Sequence, residues 1–306
     1  MTETATTDRP EAVANPAAAF EAVRPRLKRL AYRMLGSVAE AEDVVQEAFL
    51  RWHGTDREMV RDPEAFLART VTRLCLDELK SARRHRETYP GPWLPEPWVE
   101  AEAEGGADDV TYHLMFVLER LSPLERAAFL LHDVFDLEFR EVAAHLGRSE
   151  ATCRQLAARA RRRVRDARPR YPVAPDQGQA IVDAFFAASR AGDVARLEQL
   201  LAEQAVLHSD GGGKRMAALN PLRGRERIVR FYAGLARKAP GPVAQVIYRG
   251  PIDGLPGIVT READGLLQAV TLDIRDGLVT AVYVIRNPDK LAHLDPRRGQ
   301  PLPSSR

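Results

Sequence analysis

Arginine side chains are concentrated in one segment near the middle of this 306-residue chain, where residues 154–175 carry eight basic side chains against one acidic side chain. The segment follows Gly147, which suits the left-handed end of a first helix over Glu141–Leu146, and Ser149, whose hydroxyl can cap a second helix. Two short helices joined by such a turn, the second one basic, are typical of a helix-turn-helix that enters the DNA major groove. We therefore predict duplex DNA binding, with a solvated helical hairpin as the alternative.

The first turns of the basic helix carry side chains that can read base edges. Arg can bind guanine through two hydrogen bonds and Gln can bind adenine in the same way. Arginines further along a recognition helix more often contact phosphates. The predicted DNA contacts in this helix are Ser149, Thr152, Arg154, Gln155, Arg159, Arg162 and Arg163.

A second basic island ends a predicted helix over Glu64–Arg84, although the net charge of the whole chain is only +2. Residues 79–90 contain four basic side chains and one acidic side chain. Binding of such an island to nucleic-acid phosphates would release counterions. Its predicted contacts are Lys80, Arg83, Arg84 and Arg86.

An acidic helix face is predicted over Ala39–Trp52. Asp43 and Glu47 are four residues apart and therefore share one face, with Gln46 and Leu50 beside them. Such a face can dock on a partner protein, where complementary charge sets the encounter rate and the register. A solvated acidic face is the alternative.

The segment Tyr89–Trp98 contains four prolines and two tryptophans, and the prolines exclude a regular helix. A solvated linker has no need of tryptophans, so we expect this linker to dock on a surface. The stretch Glu100–Asp109 that follows is acidic and is expected to be mobile.

The period of the apolar residues changes after Gln177. Helices are expected at Ala180–Ala191, Val194–Leu201 and Gly224–Arg237. Strands are expected at Ala205–Ser209, Val243–Tyr248, Gly257–Arg261, Leu266–Ile274 and Leu278–Arg286. Asp264-Gly265 and Asp276-Gly277 are hairpin signals. Helices followed by a strand meander indicate an α+β domain with a curved sheet.

The composition narrows the class of protein. The two cysteines, Cys75 and Cys153, provide no disulfide framework and are expected to be free and buried. No apolar run is long enough for a transmembrane helix, and no signal-peptide core is visible, so we expect a cytoplasmic protein. Neither a metal site nor a cofactor is predicted.

Several motifs, in their order along the chain, resemble the extracytoplasmic-function (ECF) sigma factors of bacterial RNA polymerase. They are Asp43–Trp52, Ala65–Leu67, Asp77–Ser81, Leu121–Arg126 and the helix-turn-helix. The resemblance implies two all-α domains, a region 2 helical bundle over 18–87 and a region 4 helix-turn-helix over 110–170. Residues 1–17 would be a disordered tail and 88–109 a linker.

Three further pieces resemble the subgroup with a fused SnoaL-like domain, the SigJ type. They are Trp93-Leu94-Pro95-Glu96-Pro97, Asp210-Gly211-Gly212-Gly213-Lys214 and Asn287-Pro288-Asp289-Lys290-Leu291. The resemblance implies a C-terminal α+β cone of the SnoaL-like (NTF2-like) fold over 177–295, followed by a flexible tail over 296–306. In this subgroup the fused domain is thought to regulate the sigma domains in place of a dedicated anti-sigma factor. These three pieces would then be interdomain regulatory contacts.

The resemblance also implies partners. Asp43, Gln46, Glu47 and Leu50 would bind the clamp of core polymerase, whose flap would receive region 4. The second basic island would follow the opened −10 promoter strand, the loop Gly54–Pro63 would capture an extruded base of the non-template strand, and the helix-turn-helix would read the −35 duplex. A small ligand in the C-terminal pocket is possible, and no membrane is involved.

Two other classes of protein remain open at this stage. The first is a SnoaL-like enzyme or ligand-binding domain fused to a DNA-binding regulator, with His208 and Asp210 as a candidate catalytic pair. We expect that pair to be ordinary polar residues, and no catalytic residue is assigned. The second is a one-component repressor, which would have no use for the Asp43–Trp52 face.

Overall fold

The computed structural model describes residues 16–56, 60, 62–99, 111–165, 174–238 and 244–298, of which residues 81–87 are described by their backbone alone. The chain forms two compact units, one from residues 1–81 and 123–157 and the other from 82–122 and 158–306. The α-helices are α1 (Pro16–Leu35), α2 (Val38–His53), α3 (Pro63–Glu87), α4 (Tyr112–Leu118), α5 (Pro123–Phe129), α6 (Phe139–Leu146), α7 (Glu150–Val164), α8 (Pro175–Ala191), α9 (Val194–Leu200) and α10 (Arg225–Lys238).

The first unit is helical and has an apolar core. Its buried side chains include Leu30 and Met34 from α1, Trp52 from α2 and Val71 from α3, and others come from residues 123–157. The helix α2 begins as its sequence predicts, because the Ser37 hydroxyl accepts a hydrogen bond of 3.2 Å from the backbone N–H of Glu40. Both cysteines are free and buried, as expected from their number and separation.

The helix α5, which begins at Pro123, does not continue as a regular α-helix past Phe129. It changes after Phe129 into a π-helical turn, Leu130–Val134, in which the Phe135 N–H donates to the Leu130 carbonyl at 3.0 Å. The wider turn lets the His132 ring lie 2.8 Å from the carbonyl oxygen of Leu137. Asp136, at φ 56°, then reverses the chain.

The second unit contains a six-stranded mixed sheet. Its strands are β1 (Leu201–Asp210), β2 (Leu222–Arg223), β3 (Gln245–Ile252), β4 (Leu255–Arg261), β5 (Leu267–Arg275) and β6 (Leu278–Ile285). Their spatial order is β2-β1-β6-β5-β4-β3, with β1 and β6 parallel and the other neighbours antiparallel. The predicted strands are present, while the two-residue β2 was not predicted.

The two faces of this sheet have different cover. One face packs against α8, α9 and α10 through residues such as Phe185, Leu207 and Leu272. The opposite face packs against the linker, α4 and the 3-10 helix Asp289–Leu294, through residues such as Leu94 and Tyr112. Because side chains alternate along a strand, neighbouring residues of β1 point into different environments.

Candidate nucleic-acid interface and linker-docking cluster

The turn before α7 has the geometry that its sequence predicts. Gly147 ends α6 at φ 60° and ψ 43°, a left-handed conformation that glycine adopts without strain. The Ser149 hydroxyl then accepts a hydrogen bond of 3.2 Å from the Thr152 N–H, which satisfies a free donor of the first turn. The helix-turn-helix prediction is thereby confirmed at its decisive residues.

One face of α7 is buried and the other is exposed. The buried face consists of Cys153, Leu156, Ala157, Ala160 and Val164. The exposed face carries most of the polar residues predicted to contact DNA, namely Ser149, Arg154, Gln155, Arg159, Arg162 and Arg163, with Thr152 half-buried. Burial of the apolar stripe therefore holds the basic face in a single orientation toward solvent.

Arg154 is held in place by two neighbours. Its Nη2 lies 2.8 Å from a carboxylate oxygen of Glu150, one helical turn away, and its guanidinium lies 5.3 Å from the ring centroid of Phe139. The Arg154 side chain is nevertheless 57% exposed. An arginine that is partly oriented but still accessible loses less rotamer freedom when it binds a base.

The predicted acidic face of α2 is exposed. Asp43, Gln46 and Leu50 point into solvent, while the opposite stripe, which includes Val45 and Trp52, is buried. Glu47 is half-buried and pairs with Arg51 at 2.8 Å. Leu50 is 59% exposed and adds an apolar side chain to this face.

The second basic island lies at the end of α3. Lys80 is exposed and pairs with Asp77 at 2.7 Å. Arg83, Arg84 and Arg86 belong to the same helix, but their side chains lie outside the described part of the structure. Parts of the Gly54–Pro63 loop, all of Glu100–Asp109 and residues 1–15 lie outside it as well.

The linker docks on the second unit's sheet, as its tryptophans and prolines led us to expect. Leu94 is fully buried, and its backbone N–H donates to Asp210 Oδ2 at 2.9 Å. The Trp98 N–H donates to Asp253 Oδ2 at 3.0 Å. His293 contacts the Pro97 carbonyl at 2.9 Å.

Asp210 is the centre of this contact. Its carboxylate accepts hydrogen bonds from the Tyr89 hydroxyl (2.6 Å), the Leu94 N–H (2.9 Å), the Gly212 N–H (3.0 Å) and the Lys290 ammonium (2.8 Å). The Asn287 amide donates to the Tyr89 hydroxyl at 2.9 Å. We call Tyr89, Leu94, Asp210, Asn287 and Lys290 the linker-docking cluster.

Lys290 neutralises the buried carboxylate of Asp210. Its ammonium also donates to the Leu94 carbonyl and lies 3.7 Å from the ring centroid of Trp93, so it contacts the linker twice. Burial lowers the pKa of Lys290 to about 8, while Asp210 acts in the opposite direction. The three motifs attributed to interdomain contact thus meet at one point.

The glycines after Asp210 are required by close packing. Gly212 has φ 61°, and a Cβ atom there would lie 2.3 Å from Asn287 Nδ2. Gly213 has φ 70°, and a Cβ atom there would lie 2.8 Å from Pro90. Lys214 pairs at 2.5 Å with Asp289, which belongs to the Asn287–Leu291 motif of the same domain.

Sequence reasoning did not find the contact between α4 and the sheet. The His113 Nδ1 is hydrogen-bonded to the Tyr283 hydroxyl, and Phe116 packs on His208 at 4.5 Å between ring centroids. His208 stacks on Tyr283 at 5.5 Å with an angle of 9° between the rings. Burial lowers the pKa of His208 to about 4 and also lowers the pKa of His113, so both rings are neutral near pH 7.

The suggested catalytic pair is therefore divided between two structural roles. His208 and Asp210 both lie on the linker side of the sheet, away from the face covered by α8 and α10. Asp210 meets four donors, as many as a carboxylate can accept, and His208 is stacked between aromatic rings. Within the described ranges, no group of three or more His, Cys, Asp or Glu residues is placed to hold a metal ion.

Comparison with known proteins decides the family. The Sigma-70 region 2 model matches residues 19–85, the Sigma-70 region 4 model residues 114–164, and the SnoaL-like domain model residues 182–249. The chain is 42% identical to the ECF RNA polymerase sigma factor SigJ of Mycobacterium tuberculosis over 301 residues, which span 92% of this chain and 96% of that protein. This chain belongs to the ECF sigma factors.

Other relatives agree. This ECF sigma factor is 32% identical to the probable ECF RNA polymerase sigma factor SigI of Mycobacterium tuberculosis over 293 residues, 92% of this chain and 96% of the relative. The crystal structure of Mycobacterium tuberculosis SigJ superimposes with a TM-score of 0.74 at 38% identity and covers 94% of this chain and 99% of that one. The predicted order of two sigma domains and a SnoaL-like α+β domain is confirmed.

As an ECF sigma factor, the protein directs promoter-specific transcription initiation by bacterial RNA polymerase. Its region 4 match begins within α4, the helix that packs on the SnoaL-like sheet. Among the described helices, none combines the length and apolarity that crossing a membrane requires.

Proposed function

We propose that this ECF sigma factor reads the −35 duplex with the exposed face of α7. Ser149, Thr152, Arg154 and Gln155 would meet base edges, and Arg159, Arg162 and Arg163 would bind phosphates. The observation that supports this assignment is the division of α7 into a buried apolar stripe and an exposed basic face. The basic end of α3, with Lys80, Arg83, Arg84 and Arg86, would follow the opened −10 strand.

The exposed face of α2 is the proposed site for the clamp of core polymerase. Asp43, Gln46 and Glu47 would set its register, and Leu50 would supply apolar contact. The test measures the affinity of the full-length Leu50→Ala variant for core polymerase. The control is Leu278→Ala, which replaces an exposed leucine of the second unit. Leu50→Ala should weaken binding about tenfold, a typical loss for a central interface residue. Equal binding by both variants would refute the assignment.

We further propose that the SnoaL-like domain regulates the sigma domains within the same chain. It holds the linker through the linker-docking cluster and contacts α4 through Tyr283 and His208. The linker connects the two sigma domains, and α4 overlaps the region 4 match, so both segments are tied to the parts that must bind a promoter. A restraint carried by covalent connection needs no dedicated anti-sigma factor. The proposed site of action is the cytoplasm, where RNA polymerase works.

Transcription by point variants of the full chain tests this regulation. Asp210→Asn and Trp93→Ala loosen the linker, whereas Asp183→Asn removes one surface ion pair, with Arg249, on the same domain. We expect run-off transcription with core polymerase to change several-fold in the first two variants and to stay unchanged in the third. Unchanged transcription in all three, with circular dichroism showing folded protein, would refute regulation through the linker.

An enzymatic role for Asp210, and hence for the His208–Asp210 pair, is not favoured. A general base needs a free lone pair within reach of its substrate, and the four donors on Asp210 leave none. We propose that the protein acts as a non-enzymatic transcription factor, with Asp210 in a structural role.

A further inference from the structure

A cavity of about 220 Å³ lies on the other face of the SnoaL-like sheet, between α8, α10 and the strands. Aromatic and apolar side chains, among them Phe185, Phe186, Tyr232 and Val270, form about half of its wall, and polar side chains form the rest. None of the residues discussed so far for DNA, polymerase or linker contact lines it. The cavity therefore offers a separate binding site.

Two of the charged residues at this cavity are already paired. Arg190 donates to both carboxylate oxygens of Glu262, at 2.7 and 2.6 Å. Glu262 also accepts a hydrogen bond from the Thr260 hydroxyl at 2.9 Å. The Glu262 carboxylate is therefore already paired with Arg190 and hydrogen-bonded to Thr260.

Arg286 is the charged residue at the cavity that forms no direct ion pair with another described residue. Its Nη1 donates to the Met216 carbonyl at 2.6 Å, and its Nε is buried without a hydrogen-bond partner among the described residues. Among the described residues, no carboxylate lies within 4.0 Å of the Arg286 guanidinium. The two nearby acids have other partners: Glu262 pairs with Arg190, and Asp264 pairs with Arg215. Burial and the Arg215 charge lower the pKa of Arg286, while the more distant carboxylates of Glu262 and Asp264 act in the opposite direction.

A guanidinium keeps its proton in a protein, so Arg286 remains a cation. Arg286 as a whole is only partly buried, but its buried, unsatisfied Nε–H is costly unless an acceptor such as an anion takes its hydrogen bond. The aromatic walls add a preference for an apolar ring beside that anion. A roughly 150 Å³ apolar cavity holds benzene, so this larger cavity has room for one such ring and a carboxylate.

We propose that this cavity binds a small monocyclic aromatic carboxylate. The carboxylate pairs with the Arg286 guanidinium, and the ring lies against Phe185 and Tyr232. The site extends the sigma factor's activity with a small-molecule input and does not depend on which residues contact DNA.

The first test is calorimetry on the full-length protein with benzoate as the probe. Benzoate should bind saturably at one site, with benzyl alcohol and inorganic phosphate each at least about tenfold weaker, the factor that corresponds to one lost hydrogen-bonded contact. Benzyl alcohol that binds as well as benzoate would refute the role of the charge. Phosphate that binds as well would refute the role of the ring, and absence of benzoate binding would refute the proposal.

Variants locate the site. Arg286→Gln removes the cation and should weaken benzoate binding at least about tenfold, whereas Arg249→Gln, a surface arginine paired with Asp183, should leave it unchanged. Ser189→Leu narrows the cavity while it keeps Arg286, so it should also abolish binding. Binding by Arg286→Gln or by Ser189→Leu equal to that of the parent protein would overturn the assignment. If Arg286→Gln does not fold, Ser189→Leu decides alone.

Discussion

Replacement of Asp210 by Asn should release the linker from the SnoaL-like sheet. The change keeps the shape of the side chain but turns one of its oxygens into an amide donor. In the parent protein each oxygen of Asp210 accepts two hydrogen bonds. In either orientation of the new amide, its NH2 group therefore points at two hydrogen-bond donors. It also leaves the Lys290 charge buried without its carboxylate.

The size of the effect follows from the burial of this ion pair. The side chains of Lys290 and Asp210 are 7% and 0% exposed. Removal of one partner of such a pair costs about 3–5 kcal/mol, since an uncompensated charge stays behind. Because about 1.4 kcal/mol corresponds to a factor of ten, opening of the docked linker should become about a hundred- to a few-thousand-fold more frequent.

Hydrogen exchange measures this opening directly. The Leu94 N–H is buried and donates to Asp210, so exchange of a peptide spanning residues 88–99 reports linker release. Asp183→Asn removes a surface pair and should leave that exchange unchanged. A second change, Lys290→Met, removes the stranded charge and should recover part of the lost protection. Exchange within about tenfold of the parent in folded Asp210→Asn would refute the reasoning.

Three further outcomes are expected. Gly212→Ala should lower the free energy of unfolding, measured by urea titration, by about 2–4 kcal/mol, because strain from the left-handed backbone adds to a Cβ clash. The control Gly265→Ala, at φ 79° with open space around the Cβ position, should lower it by only about 1–2 kcal/mol. Docking of α4 should weaken as pH falls from about 6.5 toward 4, since protons bind the undocked His208 and His113 more readily. In limited proteolysis, His208→Phe should reduce this dependence and leave the part that is due to His113. Arg154→Gln should weaken promoter binding by polymerase holoenzyme by about 1–3 kcal/mol and relax sequence preference, while Arg162→Gln should weaken all sequences alike.

Local chemistry made the helix-turn-helix predictable. Gly147 and Ser149 specify a turn and a cap through bonds within a few residues, so their sequence suffices. The hairpin at Asp276-Gly277 was predictable for the same reason, and both residues have positive φ. The Asp253-Gly254 turn, also at positive φ, carries the same signal but was not used.

Contacts between distant parts of the chain could not be predicted in the same way. The tryptophans indicated that the linker docks, but not where, because Leu94 and Asp210 are 116 residues apart. His208 and Asp210 suggested a catalytic pair until the alternation of β1 placed both against the linker and α4. Arg286 gave no signal, since an unpaired arginine is visible only when all its neighbours are known.

The ends of β1 and β6 place the proposed cavity site next to the linker-docking cluster. The Asp210 carbonyl accepts hydrogen bonds from the backbone N–H groups of both Arg286, at 2.7 Å, and Asn287, at 3.0 Å. Arg286 lines the cavity, and its covalent neighbour Asn287 belongs to the linker-docking cluster. A molecule bound to the Arg286 side chain, directly after β6, would therefore lie one peptide bond away from the linker-docking cluster. By reciprocity, whatever factor such a molecule imposes on linker docking, docking imposes on the affinity for that molecule.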